Sequence, residues 1–183
     1  MKVQSCFALA ATVAGLALSL PPLRALIEQS MVWHMLVQMP LLVLAGALGA
    51  ASLPASNAGA ALQRLNRYGL SGFMLAQCIA AYWMIPAMVD RAVVLPGADA
   101  AKLATLWLAG AALRASFRQA PAAVQLFFAG YGLPMLVWLG IYFASTELRL
   151  CNAYSLASQV RTGQGLVALS VLAGVAWAFA LRR

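Results

Sequence analysis

The sequence predicts an all-α protein, a polytopic membrane helical bundle of about six transmembrane helices with both termini cytoplasmic. Three observations predict it. Hydrophobic residues make up 64% of the chain and charged residues 9%, at a mean hydropathy of +0.86, whereas soluble domains carry about 25% charged residues. The apolar residues fall in runs close to the roughly 20 residues that a bilayer requires. The few Lys and Arg residues lie between those runs and are biased to one side. At 183 residues the chain reads as one domain, 1-183. The net charge of +8 is spread singly or in pairs, without the basic stripe that nucleic acid requires.

The first run, 3-20, follows Lys2 and stops at Pro21-Pro22. It has the basic start and apolar centre of a signal peptide. No clean small-x-small site precedes the prolines, so a retained first span is expected. Pro21–Ser30 reads as a short loop holding Arg24 and Glu28. The second span is 31-51, and the loop Ser52–Arg67 follows. The third span, 68-89, ends at Asp90-Arg91, with a loop through Pro96-Gly97 to about Ala101. The fourth, 102-117, is the weakest: it is short and bounded by Arg114 and Arg118, which can snorkel to an interface. Pro121 separates it from the fifth, 122-144. A polar segment, 145-163, carries Glu147, Arg149, Cys151, Asn152, Gln159 and Arg161 and precedes the last span, 164-181.

With six spans both termini share a side. Lys2, Arg64, Arg67, Arg114, Arg118, Arg182 and Arg183 then lie on the inner side, against Arg24, Arg91, Lys102, Arg149 and Arg161 outside. All four acids, Glu28, Asp90, Asp99 and Glu147, also fall outside, and this bias predicts cytoplasmic termini. A cleaved first segment leaves five spans without moving the other loops. Gly46, Gly49, Gly69, Gly72, Gly130 and Gly132 suit close helix contact. Tyr82, Trp83, Trp138 and Tyr142 read as an interfacial aromatic belt.

The second span holds the chain's single histidine, His34. At about 100° per residue, Met31, His34, Met35, Gln38 and Met39 share one face of about 140°. Pro40 removes a backbone hydrogen bond to the carbonyl of Leu36. Met84, Met88 and Asp90 end the third span on the same side, where Cys151 follows the fifth. Thioether and thiol ligands with one imidazole suit Cu(I). Calcium or magnesium needs a fuller oxygen set, and structural zinc needs several Cys or His ligands. The candidate metal ligands are therefore His34, Met35, Met31, Met84, Met88, Asp90 and Cys151. Equally, methionine is an adaptable packing residue, and Met74, Cys78 and Met135 are assigned to packing. Cys6, Cys78 and Cys151 form no CxxC pair. One histidine forbids a bis-histidine haem and leaves a His–Met haem pair open.

Two stretches resemble a known family. Trp33-His34-Met35-Leu36 through Met39-Pro40-Leu41-Leu42-Val43-Leu44 resembles the His-Met … Pro-Leu-Leu-Val-Leu-Gly helix of the CtaG-type (caa3-type) cytochrome c oxidase assembly factors. Tyr82-Trp83-Met84-Ile85-Pro86-Ala87 with Asp90 resembles their Trp-His-x-Pro-Ala … Asp/Tyr segment. The resemblance covers about a quarter of the chain. It implies a multi-pass bacterial inner-membrane protein that catalyses no reaction and assists metallation of a haem–copper respiratory oxidase. His34 and Met35 match the family's His-Met pair; Met84 stands where the family often has a second histidine. The alternative is an accessory subunit of a larger respiratory complex with no metal of its own.

Overall fold

The structure, a computed structural model, describes residues 20–52 and 63–181 with residues 10, 13 and 17. The first expected span, apart from those few positions, lies outside the described residues, as do Lys2, Cys6, most of the Ser52–Arg67 loop, Arg182 and Arg183. The described residues are helical, without a strand. Helix α1 spans Pro21–Ile27. Helix α2 starts with a π-helical turn, Trp33–Gln38, and continues as Met39–Ser52. A 3₁₀ turn, Arg67–Gly69, leads into α3, Leu70–Trp83. Then come α4, Pro86–Val94; α5, Pro96–Gln119; α6, Ala122–Ser145; and α7, Leu156–Leu181.

Three of these helices are long and apolar enough to cross a membrane, within Trp33–Ala50, Ala122–Ser145 and Leu156–Ala180, and a bent pair would make four. The bent pair corrects the third expected span. Helix α3 stops at Trp83 and α4 leaves at 76°. The cause is local: Pro86 has no N–H to continue α3, and its fixed φ suits the first turn of a new helix. Pro21-Pro22 and Pro96 start α1 and α5 in the same way. Pro21–Ser30 is thus mostly helix rather than loop. The helix at the fourth expected span begins earlier, at Pro96, includes Asp99 and Lys102 over its 24 residues, and is not one of those apolar enough to cross a membrane. The last begins at Leu156, inside the segment expected to be irregular.

Helix α5 is the centre. Helix α2 runs along it in the same direction, with His34 and Gln38 at Lys102 and Gly46 further on at Trp107. Helix α3 runs against it, with Gly72 at Ser116 and Trp83 at Thr105. Helix α6 stacks Phe128 on Phe73 of α3. Helix α7 returns along α6, pairing Gly163 with Gly140, Ser170 with Leu133 and Trp177 with Gln125. One end of the bundle therefore holds all four acids, together with Arg24, Arg91, Lys102, Arg149 and Arg161, and the other holds Arg67, Arg114 and Arg118 with no acid among the described residues. These are the acidic and basic ends below.

Glycine sets two of these contacts. A Cβ on Gly46 would overlap the carbonyl of Trp107, and one on Gly110 the carbonyl of Val43. Gly130, expected at a contact, has open space around it. Gly69 has φ 75°, a conformation open to glycine and costly for other residues. Met74 and Cys78 point away from the core, exposed on α3. Of the expected aromatic belt, Tyr82, Trp138 and Tyr142 are exposed, while Trp83 is buried and donates its indole N–H to Thr105 at 2.8 Å.

Candidate functional site

The inward face of α2 forms as expected: Met31, His34, Met35, Gln38 and Met39 are all buried. The π turn is part of the reason. Proline at position 40 leaves a helix carbonyl without its donor, and the turn just before it widens, with the Met39 N–H reaching back to the His34 carbonyl. Wide turns of this kind concentrate at functional positions.

Facing His34 is a ring of four charges. Arg24 Nε lies 2.9 Å from Glu28 Oε2, and Arg24 Nη1 lies 3.2 Å from Asp99 Oδ2. Lys102 Nζ lies 2.8 Å from Asp99 Oδ1 and 3.7 Å from Glu28 Oε1. Each acid thus sits between both cations, and the ring sums to zero charge. Lys102 is fully buried. Its contacts with the two carboxylates are ionic rather than directed hydrogen bonds, since Glu28 Oε1 and Asp99 Oδ1 receive no well-aligned donor. Arg24 also donates through Nη2 to the carbonyls of Ala92 and Val93 at 3.1 and 3.0 Å, satisfying the open C-terminus of α4.

Lys102 joins this ring to His34. Its ammonium donates to His34 Nε2 at 3.0 Å and to Gln38 Oε1 at 3.3 Å. An ammonium has donors only, so Nε2 is the bare nitrogen and Nδ1 carries the proton. That proton points at Tyr154 Oη, 2.5 Å away. Both ring nitrogens are therefore engaged, one of them by a positive charge.

Tyr154 arrives on the polar segment after α6, which folds over the acidic end. Gln159 holds one side of it, accepting from Leu150 N–H at 2.9 Å and donating to the carbonyl of Leu148 at 3.2 Å. Asp90 holds the other, accepting from the N–H groups of Asn152 and Ala153 at 2.8 and 3.2 Å. Cys151 is buried beneath, its thiol 3.8 Å from the carbonyl of Pro86. Burial, and then the charge of Asp90, push that thiol from 9.0 to about 12. Burial, and then Glu28, push the Tyr154 phenol up as well. Both groups hold their protons more tightly folded than unfolded. Their contribution to stability is complete below pH 9 and is lost as pH rises towards 12. Thermal unfolding across that range is expected to show a falling midpoint, with a shallower fall in Cys151→Ala and in Tyr154→Phe.

The seven candidate ligands therefore divide. Met31, His34 and Met35 share one buried patch. Asp90 holds the segment that brings Tyr154 to it, and Cys151 lies beneath that segment. Met88 packs at the edge of the same core. Met84 does not join them: it lines a separate apolar cavity together with Met135 and Trp177. Among the described residues no three of His, Cys, Asp and Glu are grouped as a metal site. Arg24, Glu28, Asp99, Lys102 and Tyr154 escaped the sequence reading of this site. The signal that pointed to the four charges was the spacing of two opposite-charge pairs, Arg24/Glu28 at i,i+4 and Asp99/Lys102 at i,i+3, beside apolar runs. No known protein family, curated protein or solved structure matches the chain.

Proposed function

We propose that the chain is a multi-pass protein of a bacterial cytoplasmic membrane, with its termini inside and its acidic end outside, that assists assembly of a haem–copper respiratory oxidase by holding Cu(I) on His34, Met31 and Met35. One observation carries the reading: these three side chains share a buried patch in which a single positive charge, the Lys102 ammonium, already sits on the bare imidazole nitrogen. The two acids of the ring balance one charge at that place beside Arg24. Cu(I) carries the same charge and prefers imidazole and thioether to oxygen ligands. Taking Nε2 from Lys102 as that lysine releases a proton leaves the ring neutral. The distribution of charge supports the reading, since Arg67, Arg114 and Arg118 gather at the end that holds no acid among the described residues.

The engagement of both ring nitrogens favours a second reading, an accessory subunit of a respiratory complex that binds no metal. Titration of the purified protein with Cu(I) against a chromogenic chelator separates the two. The copper reading expects about one Cu(I) per chain, as one imidazole allows, with proton release. It expects loss of binding in His34→Ala, no change in Met84→Ala, and tighter binding in Lys102→Met. No copper in either wild type or Lys102→Met leaves the accessory reading.

A further inference from the structure

The basic end carries a feature that the copper reading does not use. A cavity of 250 Å³ lies between α3, α5, α6 and α7, walled by Phe73, Ala80, Met84, Phe128, Leu133 and Trp177. It reaches the outer face of the bundle where Phe117 and Met135, also in its wall, are exposed. Its polar side chains are already spent: Gln77 donates to the carbonyl of Phe128 at 3.2 Å, and Gln125 donates to that of Ala120 at 3.0 Å. The space therefore recognises hydrocarbon and nothing polar. From Phe73 to Met84 it follows α3 for eleven residues, about 17 Å at 1.5 Å per residue. That is close to half of a bilayer core of about 30 Å, the depth of one leaflet.

Charge fixes the head of the occupant. The cavity starts at the basic end, beside the last turns of α5. Arg114 and Arg118 flank Phe117 there, exposed and without an ion pair among the described residues, and Arg67 lies at the same end. The acids are all at the opposite end. We propose that this cavity is a site for one acyl chain of an anionic phospholipid, whose phosphate rests on Arg114 and Arg118. Basic pockets between membrane helices recognise such headgroups. The inference needs only the membrane-spanning character of the helices and is independent of copper.

Trp177, in the cavity wall, reports on the occupant. The detergent-purified protein is titrated with phosphatidylglycerol or phosphatidylcholine brominated along its chains, and the Trp177 signal is taken as the difference between wild type and Trp177→Phe. Phosphatidylglycerol is expected to quench that signal saturably and ahead of phosphatidylcholine. Replacing both arginines, Arg114→Gln with Arg118→Gln, is expected to weaken it about 30-fold, roughly fivefold for each arginine near an anionic headgroup. These two side chains are exposed, so the variant keeps its fold. Ala80→Phe, which fills the cavity, is expected to remove the quenching. Equal quenching by both lipids, unchanged in the arginine variant, marks unselective solvation and overturns the proposal. So does a Trp177 that no lipid quenches in a chain that runs as a dimer, since a second copy then covers the cavity.

Discussion

Lys102→Met lowers the stability of the folded protein by about 3–5 kcal/mol, the loss expected when one partner of a buried ion pair is removed and the other charge stays behind. The ring explains the size. Arg24 and Lys102 balance Glu28 and Asp99, each acid bridging both cations. Without Lys102 the ring keeps two carboxylates and one guanidinium, with the carboxylates largely buried and only Arg24 partly exposed. Asp99 Oδ1 and Glu28 Oε1 then face apolar surroundings, with His34 and Gln38 also losing a donor. Neutrality, rather than any one contact, is the larger part of the effect. Lys102→Met with Asp99→Asn restores neutrality through Arg24 and Glu28, and recovers more than half of the loss. Denaturant unfolding in mixed micelles, followed by helix content, measures both. A double variant no more stable than the single one shows that the ring is wet and its charges screened.

The second large effect is at the crossing of α2 and α5. Gly46→Ala and Gly110→Ala each cost about 1–3 kcal/mol, the range for overfilling a close-packed contact. The obstacle in both is backbone: the carbonyl of Trp107 for one, that of Val43 for the other. Carbonyls of two helices cannot rotate aside as a side chain can, so the helices must separate. Separation also draws Lys102 away from His34, and in the copper reading it alters the site as well as the fold. Gly130→Ala is the control. Nothing lies within 4 Å of the added atom, and alanine favours a helix over glycine by about 0.5–1 kcal/mol, so that variant is neutral or slightly more stable. The same unfolding measurement ranks all three.

The membrane class and the inward face of α2 were legible in the sequence. Both rest on local pattern: long apolar runs, and the spacing of Met31, His34, Met35, Gln38 and Met39. The errors came where a charge or a proline carried a meaning that depends on distant residues. Asp99 read as part of a loop and Lys102 as the first residue of a span, because isolated charges seldom enter a membrane helix. They lie inside α5 because Arg24 and Glu28, more than 70 residues earlier, complete the ring. Pro86 was placed inside one span; it starts another helix, which sets Asp90 against the loop at Asn152 and Ala153. Tyr154 was hidden because its approach to His34 depends on Gln159 and Asp90 folding the polar segment back. Met84 was placed by topology alone, and the end of α3 turns it towards α6 instead.

The widened turn at Trp33–Gln38 makes the direction of His34 a matter of counting. A π turn is an α-helix holding one surplus residue, and each residue is worth about 100° of rotation. Deleting Val37, a lipid-facing position, would restore regular winding and, because the turn already absorbs that residue, leave the segments on either side in their present orientation. Leu42 and Ala45 would keep their seats in the core. Regular winding with Val37 kept would instead carry Met31 and His34 around by about 100°, away from Lys102 and Tyr154. The direction of the imidazole is therefore held by one surplus residue.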